Sequence, residues 1–206
     1  MKEDMRITKG ISEDEMIAVF LKGEIGSFRF GEKIIKYLEL DNQNRKIIDN
    51  PNIDNNEENK YRRNLFEKYR GYGSNKELFE NFPQDVAWKR AILEKADLQN
   101  IKYINYDYWV ELSGGSRKVI DGARNVIGGV EIFKQSNKNF WETNEIIEKG
   151  RRLPDSILVA ESESSPLVVL EGHVRLTAYL MKSERITNEL PVIIGFSQNM
   201  RKWDLY

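Results

Sequence analysis

The feature that most constrains this chain is an apolar run that stops at an acidic residue and a glycine and then continues with helical spacing. It occupies residues 166–180 and reads PLVVLEGHVRLTAYL. The pattern predicts a strand that turns through Gly172 into a helix. The first N–H groups of such a helix have no partner within it, and the helix dipole gives them partial positive charge. The junction therefore predicts an anion site suited to phosphate.

The residues around this junction predict an α+β arrangement. A helical segment begins after Thr143 and ends at Gly150, and two strands follow at residues 156–160 and 167–170. A helix over residues 173–182 and a last strand over residues 190–196 complete the pattern. Residues 136–206 are therefore expected to form a small mixed-sheet domain.

The preceding residues, 1–135, are predicted to form a mostly helical region. Ser12 and Glu15 make a capping-box pattern at the start of its first helix. Apolar spacing predicts helices over residues 12–22, 32–40, 75–81 and 82–95, and a further one from Tyr61 onward. The Asn- and Asp-rich residues 41–60 predict a long loop, and aromatic residues predict a strand near residues 101–106.

Composition excludes several classes of chemistry. The 206 residues include no cysteine, which excludes disulfides, thiolate metal sites and cysteine nucleophiles. His173 is the only histidine, so only carboxylate-dominated magnesium or calcium sites remain open. Basic and acidic residues number 32 and 33, a balance that does not favour a dedicated DNA-binding domain.

Hydropathy predicts a protein without a membrane partner. No apolar run approaches the roughly 20 residues that span a bilayer. The first ten residues, MKEDMRITKG, are charged and lack the apolar centre of a signal peptide. A cytoplasmic location is therefore expected.

The junction resembles a motif of the ParB/sulfiredoxin-like superfamily. There, a helix leads into two strands, and the second strand ends at G-E-R-R in ParB, G-C-H-R in sulfiredoxin and D-G-H-H-R in the free-serine kinases. This chain reads E-G-H-V-R at residues 171–175, followed by Leu176 and Ala178 as in the superfamily's R-x-x-A pattern. The resemblance covers residues 140–206 and implies a ParB/sulfiredoxin-like fold for the C-terminal domain.

The resemblance also implies a function. His173 stands where sulfiredoxin has its catalytic cysteine, so sulfiredoxin's redox chemistry is excluded. Val174 replaces ParB's first arginine and the kinases' second histidine. The resemblance implies a protein that binds a nucleotide or another phosphorylated small molecule, with phosphotransfer or nucleotide hydrolysis as the expected activity. A nucleotide with magnesium is the implied cofactor, and whether the protein is an enzyme stays open.

Five residues are the candidate phosphate ligands. Gly172 supplies the turn, and His173 and Arg175 lie in the first helical turn, where their side chains can neutralise an anion. Arg151 and Arg152 follow the helix end at Gly150 and can reach a phosphate as well.

Glu171 and His173 are the candidate catalytic residues. Glu171 can act as a base or as a weak magnesium ligand. His173 suits acid or base chemistry because an unperturbed imidazole has a pKa near 6.5. The structural alternatives are a partner of the helix dipole for Glu171, a packed or capping residue for His173 and a salt-bridged surface residue for Arg175.

Other interpretations remain open. One is a non-enzymatic DNA-associated regulator of phage or plasmid type, and another is a protein-interaction module carried by residues 1–135. Residues 113–117, SGGSR, form a second small-residue turn, which is either a plain capped turn or an anion cradle.

Overall fold

The computed structural model describes residues 5–182 and 189–206. The centre of the fold is a mixed five-stranded sheet in the order β1-β2-β5-β3-β4. Only the β3–β5 contact is parallel, and the other three neighbouring pairs are antiparallel. The strands are β1 (Arg6–Gly10), β2 (Ala87–Leu93), β3 (Ser156–Ala160), β4 (Val168–Glu171) and β5 (Leu190–Phe196).

Helices cover both faces of this sheet, which confirms the predicted α+β class. Short 3₁₀ turns lie at Glu77–Phe79 and Met200–Lys202. Within residues 5–182 and 189–206, no helix has the length and apolar character needed to cross a membrane. The helices are α1 (Glu13–Glu24), α2 (Gly31–Leu40), α3 (Lys46–Asp49), α4 (Asn56–Arg70), α5 (Lys95–Leu98), α6 (Asp107–Leu112), α7 (Val119–Ile127), α8 (Lys138–Glu148) and α9 (His173–Leu180).

The central strands are apolar on both faces because each face packs against a separate helical layer. In β3, Ile157 and Val159 contact the core that contains α1 to α4, whereas Leu158 and Ala160 contact the core that contains α7 and α9. All five β3 residues are buried. This explains why β3 reads as a continuous apolar run rather than an alternating one.

The sheet joins residues from both predicted domains. β1 and β2 come from residues 1–135, and β3 to β5 come from residues 136–206. β2 pairs with β5 along its whole length, from Ala87 opposite Phe196 to Leu93 opposite Leu190. The division after residue 135 stays a prediction, and the sheet contains strands from both sides of it.

The helix predicted over residues 82–95 is wrong, because β2 occupies its centre. Trp88 packs on one face of the sheet, and Ala91 and Leu93 pack on the other. β2 has hydrogen-bonded neighbours on both sides, β1 and β5. These two ladders override a local pattern in which Pro83 and the apolar spacing favoured a helix.

Two further predictions are corrected. The segment predicted as a long loop contains α3 and the start of α4, where the Asn55 side chain accepts hydrogen bonds from the N–H groups of Glu57 and Glu58. The strand predicted near residues 101–106 is reduced to isolated bridges at Lys102, opposite Lys118 and Val168.

The local predictions near the ends of the chain are confirmed. The Ser12 hydroxyl accepts a hydrogen bond from the Glu15 N–H at 3.1 Å and caps α1. Strands β3, β4 and β5 and helix α9 lie where the apolar pattern placed them, within two residues at each end. Thr143 is an exception, since α8 already begins at Lys138.

Candidate functional site

The predicted strand–glycine–helix turn is present between β4 and α9. Gly172 has φ 93° and ψ 23°, and a Cβ added there would lie 2.6 Å from the Ser156 hydroxyl oxygen. Both observations require glycine at this position. The first N–H groups of any helix have no partner within it. In α9 none of the described side chains caps these groups.

Glu171 and Arg175 form a buried ion pair across this turn. The Arg175 Nη2 donates to Glu171 Oε2 at 2.9 Å, and Nη1 lies 3.4 Å from Oε1. The side chains are 8% and 16% exposed. A Cβ added to Gly23 of α1 would lie 2.6 Å from Glu171 Oε1, so the backbone of α1 packs directly on this pair. The N-terminal half therefore forms part of the site.

Two helices of the N-terminal half add a second acidic group. Glu24, at the end of α1, is only 5% exposed, and the Tyr69 hydroxyl donates to its Oε2 at 2.7 Å. Arg70 Nε lies 3.4 Å from the other carboxyl oxygen. Burial raises the pKa of Glu24 to about 7, an effect that Arg70 opposes and the charge of Glu171 reinforces.

His173 is packed in an aromatic stack. Its ring lies 4.8 Å from the Trp109 ring at an interplanar angle of 17°, and Trp109 stacks in turn on Tyr103. Burial lowers the pKa of His173 to about 3, and the charges of Arg70 and Arg175 add to this effect. The imidazole is therefore neutral at pH 7, and its pKa lies well below the value near 6.5 that the sequence predicts.

These groups line one pocket of about 460 Å³. The apolar and aromatic residues of the lining include Phe30, Ile104, Tyr106, Trp109 and Leu205. The charged residues of the lining are Arg29, Arg70, Arg175, Glu24, Glu77 and Glu171. A pocket of this size and mixed lining suits a small organic ligand that carries a charged group.

Three buried nitrogen atoms of the pocket lining have no hydrogen-bond partner among the described residues. They are Nε of Arg70, Nε of Arg175 and Nε2 of His173. Buried polar atoms in native proteins are nearly always hydrogen-bonded, and an exception calls for an explanation. The pocket lining thus contains three polar atoms to which the described residues give no hydrogen bond.

Arg151 and Arg152, the other predicted phosphate ligands, line a neighbouring pocket of about 320 Å³. Arg175 contributes to both pockets. Arg152 is 81% exposed and lies 3.7 Å from Asp155. The structure thus places Gly172, His173 and Arg175 together with Glu171, and it places Arg151 and Arg152 in the second pocket.

Arg117 of the SGGSR turn has a structural role. Its guanidinium donates to the carbonyl oxygens of Tyr103, Leu205 and Tyr206 at 2.8, 3.2 and 2.9 Å. These bonds fix Leu205, which lines the Gly172 pocket.

The described part of the chain contains no group of three or more His, Cys, Asp or Glu side chains arranged to hold a metal ion. Magnesium binding by Glu171 stays a prediction.

Sequence reasoning missed Glu24 and Arg70. They lie at the C-terminal ends of α1 and α4 and meet the Gly172 turn only in the folded chain. One local signal existed, because a carboxylate in the last turn of a helix opposes the helix dipole. Glu24 occupies that position in α1.

Glu24 and His173 have opposite effects on the pH dependence of stability. The pKa of His173 falls from 6.5 to about 3 on folding. On acidification the unfolded chain therefore binds a proton at His173 before the folded chain does, and stability falls as the pH drops below 6.5. The pKa of Glu24 rises from 4.5 to about 7, so the folded chain binds its proton first and stability falls as the pH rises above 4.5. Between pH 4.5 and 6.5 the two contributions cancel.

Removing either group is expected to reveal the effect of the other group on the pH dependence of stability. Glu24→Gln should lose stability more steeply than the native protein on acidification from pH 6.5 to 4.5, by up to about 1.4 kcal/mol per pH unit. His173→Gln should instead gain stability relative to the native protein on acidification over the same pH range. Urea unfolding across this range measures both slopes. Parallel pH profiles for the native protein and both variants would show that neither pKa is shifted by folding.

No protein-family model, curated protein sequence or solved structure matches this chain. The function is therefore argued from the geometry and chemistry of the Gly172 pocket.

Proposed function

We propose that this protein binds a nucleotide or another phosphorylated small molecule in the pocket at the Gly172 turn. The resemblance of E-G-H-V-R at residues 171–175 to the ParB/sulfiredoxin-like motif supports a phosphate at this place. Phosphotransfer or nucleotide hydrolysis is the activity we propose for the bound state. Glu171 and His173 are the candidate catalytic residues, Glu171 as the base and His173 as a neutral imidazole that hydrogen-bonds to the ligand.

The observation that carries the proposal is the set of unpartnered nitrogen atoms around an uncapped helix end. Arg70, His173 and Arg175 each contribute one buried nitrogen without a hydrogen-bond partner among the described residues, and all three line the same pocket. The N-terminus of α9 adds backbone N–H groups and partial positive charge. A phosphate group supplies acceptor oxygens and negative charge, which both features require.

The pocket suggests how the ligand is oriented. The phosphate lies over Gly172 at the N-terminus of α9, and Arg70 and Arg175 neutralise its charge. Glu171 holds the Arg175 guanidinium in place through the 2.9 Å hydrogen bond. The aromatic residues Tyr106 and Trp109 of the lining face the remaining part of the ligand. A base or another planar group packs favourably on such aromatic rings.

Calorimetric titration with ATP, CTP and GTP, each with magnesium, tests the proposal. We expect at least one nucleotide to bind at submillimolar concentration. Arg175→Ala should weaken this binding by about 10- to 100-fold, because it removes a charge-assisted contact. Arg124→Ala, which removes a guanidinium that is 70% exposed and lies outside the pocket, is the matched control and should bind like the native protein.

Two results would contradict the proposal. One is the absence of heat with all three nucleotides at millimolar concentration. The other is binding that Arg175→Ala leaves unchanged, since the nucleotide would then occupy a different part of the surface.

A further inference from the structure

We propose that Glu24 contacts the phosphorylated ligand as a carboxylic acid, so that ligand binding takes up one proton. This inference rests on the proposed function of the Gly172 pocket. Glu24 belongs to the N-terminal half, and in this inference its protonation helps to determine the charge state in which the site binds its ligand.

The contacts of the two buried carboxyl groups differ. Glu171 accepts a 2.9 Å hydrogen bond from the guanidinium of Arg175. The Arg70 Nε lies 3.4 Å from Glu24 and has no hydrogen-bond partner among the described residues. Glu24 instead accepts a hydrogen bond from a neutral hydroxyl, that of Tyr69. Of the two carboxyl groups, Glu24 is therefore the one whose negative charge is less well stabilised.

The surroundings of Glu24 favour proton uptake when an anion arrives. A phosphate adds negative charge to a pocket that already contains the carboxylate of Glu171, and this disfavours a second ionised carboxyl group. Protonation of Glu24 removes that repulsion, frees Arg70 to pair with the phosphate and supplies an O–H donor. The charged or titratable groups that surround Glu24 or share its pocket are Arg29, Tyr69, Arg70, Glu77, Tyr106, Glu171, His173 and Arg175.

The free protein is already close to this state. Burial raises the pKa of Glu24 to about 7, so this carboxyl group takes up a proton close to neutral pH. His173 cannot supply or take the proton in this range, because its pKa is about 3. A bound anion should raise the pKa of Glu24 further. Affinity should then fall as the pH rises above 7, by up to about tenfold per pH unit.

Calorimetry with the tightest-binding of ATP, CTP and GTP tests the inference. Titrations above about pH 7.5 keep the nucleotide phosphates ionised, since their last pKa is near 6. Repeating them in two buffers of different ionisation enthalpy gives the number of protons taken up. The native protein should take up close to one proton and bind more weakly as the pH rises. Glu24→Gln should take up none and show no such pH dependence.

Glu142→Gln is the matched control, because Glu142 is a carboxylate on α8 that is 56% exposed and lies outside the pocket. It should keep the proton uptake of the native protein. Nucleotide binding without proton uptake, or uptake that persists in Glu24→Gln, would overturn this inference and leave the proposed function intact. The absence of binding by every nucleotide would overturn both.

Discussion

Replacing Gly172 with alanine is expected to lower the free energy of unfolding by about 2–4 kcal/mol and to abolish nucleotide binding. The left-handed backbone, with φ at 93°, costs an alanine about 1–2 kcal/mol. The new Cβ would also lie 2.6 Å from the Ser156 hydroxyl oxygen and 3.1 Å from the Ser156 Cβ. Overpacking of this kind costs about 1–3 kcal/mol. Relief of either strain moves the turn at which we propose that the phosphate binds.

A control substitution at Gly129 separates the cost of the left-handed backbone from the cost of the close contact with Ser156. Gly129 also has a left-handed backbone, with φ at 77°, but a Cβ added there meets nothing within 4 Å. Gly129→Ala should therefore show only the conformational cost and keep nucleotide binding. Ser156→Ala combined with Gly172→Ala should recover part of the lost stability, because it removes the nearest clashing atom. Equal losses in Gly129→Ala and Gly172→Ala, as measured by urea unfolding, would contradict the close contact with Ser156.

Arg62→Met is expected to lower the free energy of unfolding by about 3–5 kcal/mol, because it breaks a buried network of charged hydrogen bonds. Arg62 is 1% exposed, and its guanidinium donates to the carbonyl oxygens of Ile47 and Asn52 at 3.0 Å each. It also donates to the side chains of Glu58 and Asn59. These bonds attach the Asn-rich segment to α4.

The neighbouring Arg63 provides the control. Its side chain is 44% exposed and pairs with Glu13 and Asp14 on α1. Arg63→Met should cost less than about 1 kcal/mol, because exposed ion pairs contribute little. Chemical unfolding of both variants at one pH measures the difference. Similar losses for Arg62→Met and Arg63→Met would show that burial of Arg62 does not determine its contribution.

The parts of the fold that could be predicted are those with a local cause. The Ser12 cap, the apolar strands β3 and β5 and the turn at Gly172 each depend on a few neighbouring residues. β2 could not be predicted in this way. Its apolar residues fit helical spacing as well as strand alternation, and its strand conformation depends on pairing with β1 and β5.

The residues of the candidate site also divide into those with a local sequence signal and those brought together only by folding. Glu171, Gly172, His173 and Arg175 are close in sequence, and their motif was visible without a structure. Glu24 joins them only because α1 packs on the turn, with the Gly23 backbone against the Glu171–Arg175 pair. The pKa of His173 was also beyond prediction, since it depends on burial beside Trp109 and on charges from two different helices.

The central claim is that the Gly172 turn holds the phosphate of a bound ligand, and a crystal structure of the protein with its tightest-binding nucleotide tests it most directly. We predict a phosphate within hydrogen-bond distance of the N–H groups at the start of α9, with the Nε atoms of Arg70 and Arg175 newly partnered. A nucleotide bound in the neighbouring pocket at Arg151 and Arg152, with the Gly172 turn free of phosphate, would contradict the claim.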